Sequence, residues 1–487
     1  MNKLNSRADG LHIAVVGGGV AGATAAIHFS ELGFKVTLLE KGPSLVNGPP
    51  ICHLHAGGNL YREISTEQCI DLLKQSIDSV RLFPSSINIR PTIIAIPQTD
   101  EGHPEDLLDR LETISHTYAA LVEQDPCNQV LGHPEHYYKL YSQADLESLA
   151  QRVQPIHPST MDEWAIPFAR HANLNQLKYP VLMVQEFGWS VFRLSAIASL
   201  ALERFSSTKV LCNTELQTAH WDGMQWSLSV SGQESPILAD YLVNACGFET
   251  GTVDDHVGVQ TQRLVEFKAA YVARWAQCSE EWPEVIFHGP RGTPQGMAQL
   301  TPYGDGYFQL HGMTQAITLF EDGLVSSDQQ SSQPRLPLQY MKKIQQGWDE
   351  RVLNARTQGA IEHMAQFVAG FRAAHPAGKA LFGAQQIPGS DVTLRAADVS
   401  FSTNNYACIE IVKASSALQA AQKTLEHWFA LPISNDIETQ HPVTQSLSAV
   451  EVEQRAILLA QKRGYPVALA KTTGEAFFAS RTLKNER

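Results

Sequence analysis

Near its amino terminus the chain reads His12-Ile-Ala-Val-Val16, then Gly17-Gly-Gly-Val-Ala-Gly22, and further on Val36-Thr-Leu-Leu39. The two apolar runs predict strands, and the segment between them predicts a helix. The glycine spacing allows a tight turn after the first strand, close approach of the backbone to a pyrophosphate, and close packing of the helix on the sheet. This order of strand, glycines, helix and strand predicts a dinucleotide-binding βαβ unit.

Two further features refine the predicted nucleotide site. The helix that begins near Val20 directs unpaired N–H groups and the positive end of its dipole toward bound phosphates. Glu40 follows the second strand, where a carboxylate can accept hydrogen bonds from the adenosine ribose hydroxyls. A ribose phosphate would be repelled by this carboxylate, so the motif disfavours NADP.

Composition limits the class of protein. With 487 residues the chain is long enough for two or more domains. The 37 basic and 50 acidic residues give a net charge of −13, and no basic stripe is present. Phosphate contacts require clustered Lys and Arg, so nucleic acid is not expected as a partner.

The seven cysteines are scattered and form no Cys-x-x-Cys pair, so we expect neither a disulfide framework nor a structural zinc site. Cys52, His53 and His55 lie too close together in sequence to surround one ion, and no metal site is predicted. No apolar run of about eighteen residues could span a membrane. We expect a cytoplasmic protein, and peripheral attachment to the inner face of a membrane stays open.

Hydrophobic periodicity predicts the remaining elements. The predicted helices are Thr66–Leu82, Pro104–Leu121, Ser195–Phe205, Ser415–Phe429 and a tail helix from the capping box at Ser448 to Gly464. The predicted strands are Lys209–Val210, Trp226–Val230, Leu238–Val243 and Ala407–Val412, with a hairpin turn at Asp222-Gly223. Alternation in Phe267–Trp275 and Tyr307–Leu310 predicts a second, antiparallel sheet between about 262 and 320.

Four places in the chain resemble the flavin-dependent oxidoreductases of the D-amino-acid oxidase type. They are the glycine motif with Glu40, the segment from Thr214 to Gly251 with its Asn-Ala-Cys-Gly247, the loop His55-Ala-Gly-Gly-Asn59, and Ala369-Gly-Phe-Arg372 with the later Lys413-Ala-Ser-Ser416. The resemblance covers most of the chain to about residue 430 and implies FAD as the cofactor. The cofactor-binding residues that it implies are Gly17, Gly19, Gly22, Glu40, Lys41, His55, Gly57, Gly58, Leu216, Ala245, Gly247, Lys413 and Ser415.

Within that superfamily the chain resembles, loosely, the malate:quinone oxidoreductase branch. This resemblance rests on the segments Ala56-Gly-Gly-Asn-Leu-Tyr-Arg-Glu-Ile64 and Glu186-Phe-Gly188. His55 stands where some relatives attach the flavin covalently, but Leu54 replaces the tryptophan that precedes it there. Covalent and non-covalent attachment both stay open.

The resemblance implies an α/β fold, in which a Rossmann-type FAD-binding domain carries an inserted antiparallel-sheet substrate domain. The expected FAD-binding domain is discontinuous, with residues 1–90, 190–255 and 365–430. The expected substrate domain comprises residues 91–189 and 256–364, and residues 431–487 form a carboxy-terminal helical extension.

Arginines are the natural candidates to bind a substrate carboxylate, because a guanidinium offers two parallel donors in a rigid fork. Arg62, Arg372 and Arg395 are candidates, and Arg372 is favoured by its position after Gly-Phe. A surface salt bridge is the alternative for each.

For proton removal from a substrate hydroxyl or ammonium the chain offers His288 and His311, in the predicted second sheet. Either could instead be a structural histidine. Tyr303 and Gln309 could line the same pocket, whereas Lys268 is expected to be solvated.

These features lead us to expect an FAD-dependent oxidoreductase acting on a small carboxylated 2-hydroxy acid or amine, with quinone or oxygen as electron acceptor. An amino-acid or amine oxidase is the alternative within the superfamily, because both substrate types present a C–H bond beside a carboxylate. A flavoprotein that acts on or binds a macromolecular partner is the alternative from another class.

Overall fold

The computed structural model describes residues 10–47, 54, 64–402 and 405–474. The first eleven strands are β1 (His12–Val16), β2 (Lys35–Leu39), β3 (Ile87–Asn88), β4 (Thr92–Pro97), β5 (Tyr138–Tyr141), β6 (Leu177–Val184), β7 (Gly188–Trp189), β8 (Thr208–Leu211), β9 (Leu216–Trp221), β10 (Trp226–Val230) and β11 (Ile237–Ala239). The remaining strands are β12 (Tyr241–Asn244), β13 (Arg263–Arg274), β14 (Glu284–Phe287), β15 (Ala298–Pro302), β16 (Tyr307–Gly312), β17 (Leu324–Ser326), β18 (His375–Pro376), β19 (Leu381–Pro388), β20 (Val399–Phe401) and β21 (Tyr406–Ile409).

The helices follow the same chain order. They are α1 (Val20–Glu31), α2 (Thr66–Leu82), α3 (Leu108–Gln124), α4 (Gln143–Leu149), α5 (Met161–His171), α6 (Val191–Leu202), α7 (Thr250–Val257), α8 (Leu338–Gln346), α9 (Glu350–Met364), α10 (Ala417–Phe429), α11 (Ile437–Gln440), α12 (Pro442–Gln445) and α13 (Ala449–Arg463).

A six-stranded sheet with the order β20-β21-β12-β1-β2-β8 carries the glycine motif, and we call it the nucleotide sheet. Its strands are parallel except for β20. Every residue of β1 is buried, as expected for a strand covered on both faces. Helix α1 packs against α10 and α6. The predicted βαβ unit is therefore present, with β1 and α1 at the expected positions.

A ten-stranded sheet forms the second layer. Its order is β17-β13-β16-β15-β14-β4-β6-β5, and β18 and β19 also pair with β13. All pairs are antiparallel except β4 with β14. The expected fold class, a Rossmann-type sheet with an added antiparallel sheet, is confirmed. Residues 375–388, which the sequence assigns to the FAD-binding domain, contribute β18 and β19 to the ten-stranded sheet.

The two faces of the ten-stranded sheet differ in character. Alternate side chains on one face, such as Tyr271, Leu300 and Phe308, pack with residues of α5 and α9 in one apolar cluster. On the other face, Ala270 and Val272 belong to the apolar cluster that contains β1 and α1. Since side chains alternate along a strand, this second face is the one that meets the nucleotide sheet.

Several elements differ from their sequence predictions. The strand predicted over Leu238–Val243 is divided into β11 and β12 at Asp240, whose carboxylate accepts a hydrogen bond from the His12 N–H at 2.7 Å. The backbone N–H of Asp240 also donates to the His12 carbonyl at 2.9 Å. Helices α4, α5, α8 and α9 were not predicted from periodicity.

The carboxy-terminal extension packs on the nucleotide sheet layer. Its tail helix α13 begins at Ser448, whose hydroxyl accepts from the Glu451 N–H, and ends at Gly464 with φ 71°, as predicted. The Arg463 guanidinium donates to the carbonyls of Leu45 at 2.8 Å and Val46 at 3.0 Å. The extension thus fixes the loop that follows Glu40.

Within the described ranges, none of the helices has both the length and the apolar character needed to cross a membrane.

Candidate functional site

The carboxyl ends of three parallel strands meet beside the glycine motif. In the register of the sheet, Val16 of β1 lies between Leu39 of β2 and Asn244 of β12. Hydrogen bonds continue past these paired residues on both sides of β1. The Gly17 N–H donates to the Leu39 carbonyl, and the Ala245 N–H donates to the Val16 carbonyl, each at 2.8 Å. We call residues 17–20, Glu40 and residues 245–247 the nucleotide cradle.

Gly17 and Gly22 are required by the fold itself. Gly17 has φ +97°, and a Cβ there would lie 2.5 Å from the Ala245 carbonyl oxygen. A Cβ on Gly22 would overlap the carbonyl oxygen of Gly17. These two glycines therefore allow the turn and the helix to pack against the strands, whether or not a nucleotide is bound.

Gly19 and Gly247, in contrast, face open space. A Cβ on either residue would meet no atom of the protein within 4 Å. Gly19 is the N-cap of α1 and has an extended backbone conformation that other residues also adopt. Open space in front of a helix N-terminus is the place where a pyrophosphate fits, so the cradle fits the phosphates of FAD.

Glu40 is held by the backbone through both of its carboxylate oxygens. Gly18 N–H donates to Oε2 at 2.7 Å, and Gly42 N–H donates to Oε1 at 2.6 Å. A carboxylate oxygen has a second lone pair, so Glu40 can still accept from a ribose hydroxyl. The neighbouring Lys41 forms an ion pair with Glu249, and both side chains are partly exposed.

Lys413 and Ser415 lie at the start of α10, where Lys413 caps a 3₁₀ turn over Ala414–Ser416. The Ser415 hydroxyl is buried and has no hydrogen-bond partner within the part of the chain that the structure describes. The carbonyl of Val412 accepts from Gln385 Nε2 of β19 at 2.8 Å. This turn therefore joins the nucleotide sheet layer to the ten-stranded sheet.

Of the other predicted cofactor contacts, Leu216 lies within the described residues. Leu216 begins β9 and is partly buried against the cluster beneath β1 and β12. His55, Gly57 and Gly58, and the catalytic candidate Arg62, lie outside the described residues.

Polar side chains line the face of the ten-stranded sheet that meets the nucleotide sheet. We define this polar face by Glu266 and Lys268 of β13, Gln309 and His311 of β16, Gln299 and Thr301 of β15, and Glu284 of β14. Gln299 is the direct cross-strand partner of His311, and Thr301 is that of Gln309. Directly opposed residues point to the same side of a sheet, so these side chains share one surface.

A buried ion pair lies at one end of the polar face. Glu284 is fully buried and forms an ion pair with Arg90, whose side chain is 2 % exposed. Gln299 Nε2 also donates to the Glu284 carboxylate. Gln299 is thereby fixed beside His311, one of the two histidines proposed from the sequence.

The other end carries a cluster of three charges. Lys268 and Arg291 both form ion pairs with the Glu266 carboxylate, the Lys268 pair at 2.7 Å. Lys268 Nζ also donates to Gln385 Oε1 at 3.3 Å. Burial lowers the pKa of the Lys268 ammonium, the Glu266 carboxylate opposes this effect, and Arg291 and Arg395 lower the pKa further. Two cations therefore pair with one carboxylate, and the charge of Arg395 acts on Lys268.

The expectation that Lys268 is solvated was wrong. Its side chain is only 19 % exposed, because an even-numbered position of β13 points toward the nucleotide sheet and not toward solvent. The alternation of the strand was visible in the sequence, but the layer above it was not.

The structure separates Arg372 from the polar face. Arg372 is exposed on the 3₁₀ turn Ala369–Ala373, and the adjacent β18 pairs with Arg274 at the far end of β13. Arg274 lies six residues beyond Lys268, or about 20 Å along an extended strand. As the carboxylate anchor, Arg372 stays a prediction.

His288 follows β14 directly and is partly buried, with its N–H donating to the Ala95 carbonyl at 2.9 Å. It extends the row that contains Glu284. The structure thus brings His311 and His288 to the same sheet, and adds Lys268, Arg291 and Glu284, which the sequence did not single out as site residues.

Residues 12–127 match the family described as DAO, FAD dependent oxidoreductase. No curated protein has a matching sequence.

Solved structures share the fold over most of the chain. Glycine oxidase from Geobacillus kaustophilus has a TM-score of 0.56 and 12 % identity, covering 90 % of this chain and 99 % of its own. L-amino acid deaminase from Proteus vulgaris has a TM-score of 0.59 and 11 % identity, covering 89 % and 96 %. L-alpha-glycerophosphate oxidase from Mycoplasma pneumoniae, solved with FAD bound, has a TM-score of 0.54 and 14 % identity, covering 85 % and 94 %.

Proposed function

We propose that the chain is an FAD-dependent oxidoreductase of the DAO type, whose family model matches residues 12–127, and that it oxidises a small amine that carries a carboxylate, such as an α-amino acid. The observation that supports this substrate class is the charge cluster of Lys268, Arg291 and Glu266 on the polar face. An excess of cations in a partly desolvated site attracts an anion.

In this proposal the carboxylate of the substrate binds beside Lys268 and Arg291. An ammonium and a guanidinium offer complementary contacts to a carboxylate, because the first is a compact charge and the second a planar fork. Glu266 holds both cations in position before the substrate arrives. Arg395 adds to the positive potential, since its charge is close enough to lower the pKa of Lys268.

Gly19 and Glu40 would hold the phosphates and the adenosine ribose of FAD, and the cofactor would supply a two-electron acceptor for the hydride of the substrate C–H bond. We assign Lys413 and Ser415 to the pyrimidine end of the flavin. A cation or helix amides at that end stabilise negative charge. His311, the cross-strand partner of Gln299, is then the residue that accepts the proton from the substrate ammonium.

The names of the structural relatives favour an amine over a hydroxyl as the oxidised group. Glycine oxidase and L-amino acid deaminase are named for amino acids, whereas glycerophosphate oxidase is named for a hydroxyl compound. The 2-hydroxy acid, malate included, is the competing substrate class. The electrons then pass to oxygen or to a quinone.

A matched substrate panel tests the proposal. The purified holoprotein is mixed anaerobically with small amino acids, their N-methyl derivatives and the hydroxy acids of the same carbon skeleton, while the visible flavin absorption is followed. Bleaching by the amines alone supports the proposal. Bleaching by the hydroxy acids alone would identify 2-hydroxy acids as the substrate class. A flavin spectrum that none of the compounds changes would favour a macromolecular partner. Readmission of oxygen or a soluble quinone then identifies the acceptor.

A further inference from the structure

A cavity of about 190 Å³ lies at the carboxyl end of α1, the end opposite the cradle. Leu32, Leu425, Leu431 and Pro432 form its apolar wall, and these residues come from the end of α1, from α10 and from the segment that leads into α11. His28, on the same wall, is nine residues beyond Gly19, or about 13 Å along the helix. The cavity is therefore separate from the nucleotide cradle.

A chain of hydrogen bonds fixes which atoms of His28 can take part in binding. His441 Nδ1 lies 2.7 Å from the Ile437 carbonyl and must donate to it. In the neutral ring His441 Nε2 is then an acceptor, so His28 Nδ1, at 2.9 Å, donates to it. This leaves His28 Nε2 as an acceptor, with no donor facing it among the described residues.

Both rings are neutral at ordinary pH, as this chain requires. Burial and the neighbouring His441 lower the pKa of His28 well below its usual value. Burial lowers the pKa of His441 to about 4.

Gln440 provides a second acceptor on the cavity wall. Its Oε1 is buried and has no hydrogen-bond partner within residues 10–47, 64–402 and 405–474. Gln422, which also lines the cavity, uses its Nε2 to donate to the Ser434 carbonyl at 3.0 Å. The residues described around the cavity include no Lys or Arg, so nothing there matches an anionic ligand.

We propose that this cavity is a second binding site, for a small neutral molecule with an apolar ring or short chain and one hydroxyl or N–H donor. An apolar cavity of about 150 Å³ holds a benzene ring, so the present volume accommodates a ring with one hydroxyl. Leu32, Leu425 and Leu431 contact the apolar part, and the donor pairs with His28 Nε2 or Gln440 Oε1. The ligand would pack against the helix whose other end faces the phosphates of FAD.

Phenol and toluene are matched probes, because they have nearly the same size and only phenol carries a donor. Titrated calorimetrically into the holoprotein, phenol is expected to bind about fivefold more tightly than toluene, the increment of one hydrogen bond. Equal affinities, or no binding of phenol, would overturn the proposal.

Variants locate the binding. Leu425→Trp fills the cavity and should abolish phenol binding, whereas Leu458→Trp, at a leucine that is 61 % exposed on α13, should leave it unchanged. Gln440→Leu should reduce the preference for phenol over toluene by at least about twofold. Retained flavin absorption shows that each variant is folded. Phenol binding that survives Leu425→Trp would place the ligand elsewhere and overturn the proposal, and the wild-type comparison of the two probes decides the matter if that variant does not fold.

Discussion

The nucleotide cradle and the polar face are built in different ways. The cradle consists mostly of backbone, supplied by three separate segments at the ends of adjacent parallel strands, and its specificity comes from open space and N–H groups. The polar face consists of side chains from β13, β14, β15 and β16, which follow one another along the chain, and its specificity comes from charge. Substitutions in the cradle should therefore act through sterics, and substitutions on the polar face through electrostatics.

The largest change in stability is expected from an alanine substitution at the glycine motif. Gly22→Ala and Gly19→Ala add the same methyl group at positions three residues apart. Gly22→Ala places a Cβ against the Gly17 carbonyl oxygen and should lower the free energy of unfolding by about 3 kcal/mol or more, or prevent folding. Gly19→Ala adds its methyl to open space. The apoprotein should remain stable to within about 1 kcal/mol while FAD affinity falls about 10- to 100-fold.

Urea unfolding of the two apoproteins and calorimetric titration with FAD separate the two effects. If both variants lose stability equally, Gly19 is structural and the cradle does not distinguish fold from ligand.

On the polar face, Lys268→Met should lower kcat/KM for a carboxylated substrate by about 30- to 1,000-fold, the cost of removing one partner of a desolvated charge pair. Lys268→Arg keeps the charge and should recover part of this loss. Arg372→Ala serves as the matched loss of a cation on the exposed turn Ala369–Ala373 and should change kcat/KM by less than about threefold. The reverse ranking would restore Arg372 as the carboxylate anchor.

The pH dependence of KM gives a second test of Lys268. Because burial lowers the pKa of this ammonium, it loses its charge as the pH rises through a value below 10.5. We expect KM for the carboxylated substrate to rise in that alkaline range in the wild type. Lys268→Arg should remove the rise, since a guanidinium stays charged; an identical profile in the variant would assign the titration to another group.

Where the two regions meet, Lys413→Met should lower the flavin reduction potential by about 30 mV, because a cation beside the reduced flavin is lost. FAD should remain bound, since the cradle is untouched. A potential equal to that of the wild type, measured by dye equilibration, would place Lys413 away from the flavin.

The smallest effect is expected at His28 and His441, which lie away from both regions, and it concerns the pH dependence of stability. The pKa values of His28 and His441 are lower in the folded protein than the ordinary value of 6.5. Their stabilising contribution is therefore complete above pH 6.5 and is lost as the pH falls toward 4, with a slope approaching about 1.4 kcal/mol per pH unit for each ring. Glu438 lies close enough to raise the pKa of His441.

His441→Gln should reduce the dependence of the unfolding free energy on pH by the equivalent of about one proton. His116→Gln, on the exposed side of α3, should leave this dependence unchanged. Urea unfolding between pH 7 and 4.5 provides the measurement. A slope that is the same in both variants would remove the histidine pair from the account.

The sequence predicted the first region well because its signals are local. Strand, glycines and helix lie within a single stretch of the chain, and β1 and α1 have the expected bounds. The hairpin at Asp222-Gly223 and helix α2 were predicted for the same reason. The division of β11 from β12 was missed, since it depends on the Asp240 carboxylate reaching His12, which is distant in sequence.

The polar face could be predicted only in part. Alternation in β13 and β16 indicated the second sheet, but which alternate side faces the nucleotide sheet depends on the packing of the two layers. Lys268 was therefore interpreted as a surface residue. Glu284 and Arg90 become partners only through the pairing of β14 with β4, a contact of residues nearly two hundred positions apart.

The most direct test of the account compares one amine as the free acid and as its neutral amide, using anaerobic flavin bleaching by the wild-type holoprotein and by Lys268→Met. The account predicts rapid, saturable bleaching by the acid in the wild type, with a much weaker response to the amide. In Lys268→Met the two compounds should differ little. Equal reduction by acid and amide in the wild type, or an unchanged preference for the acid in Lys268→Met, would contradict it.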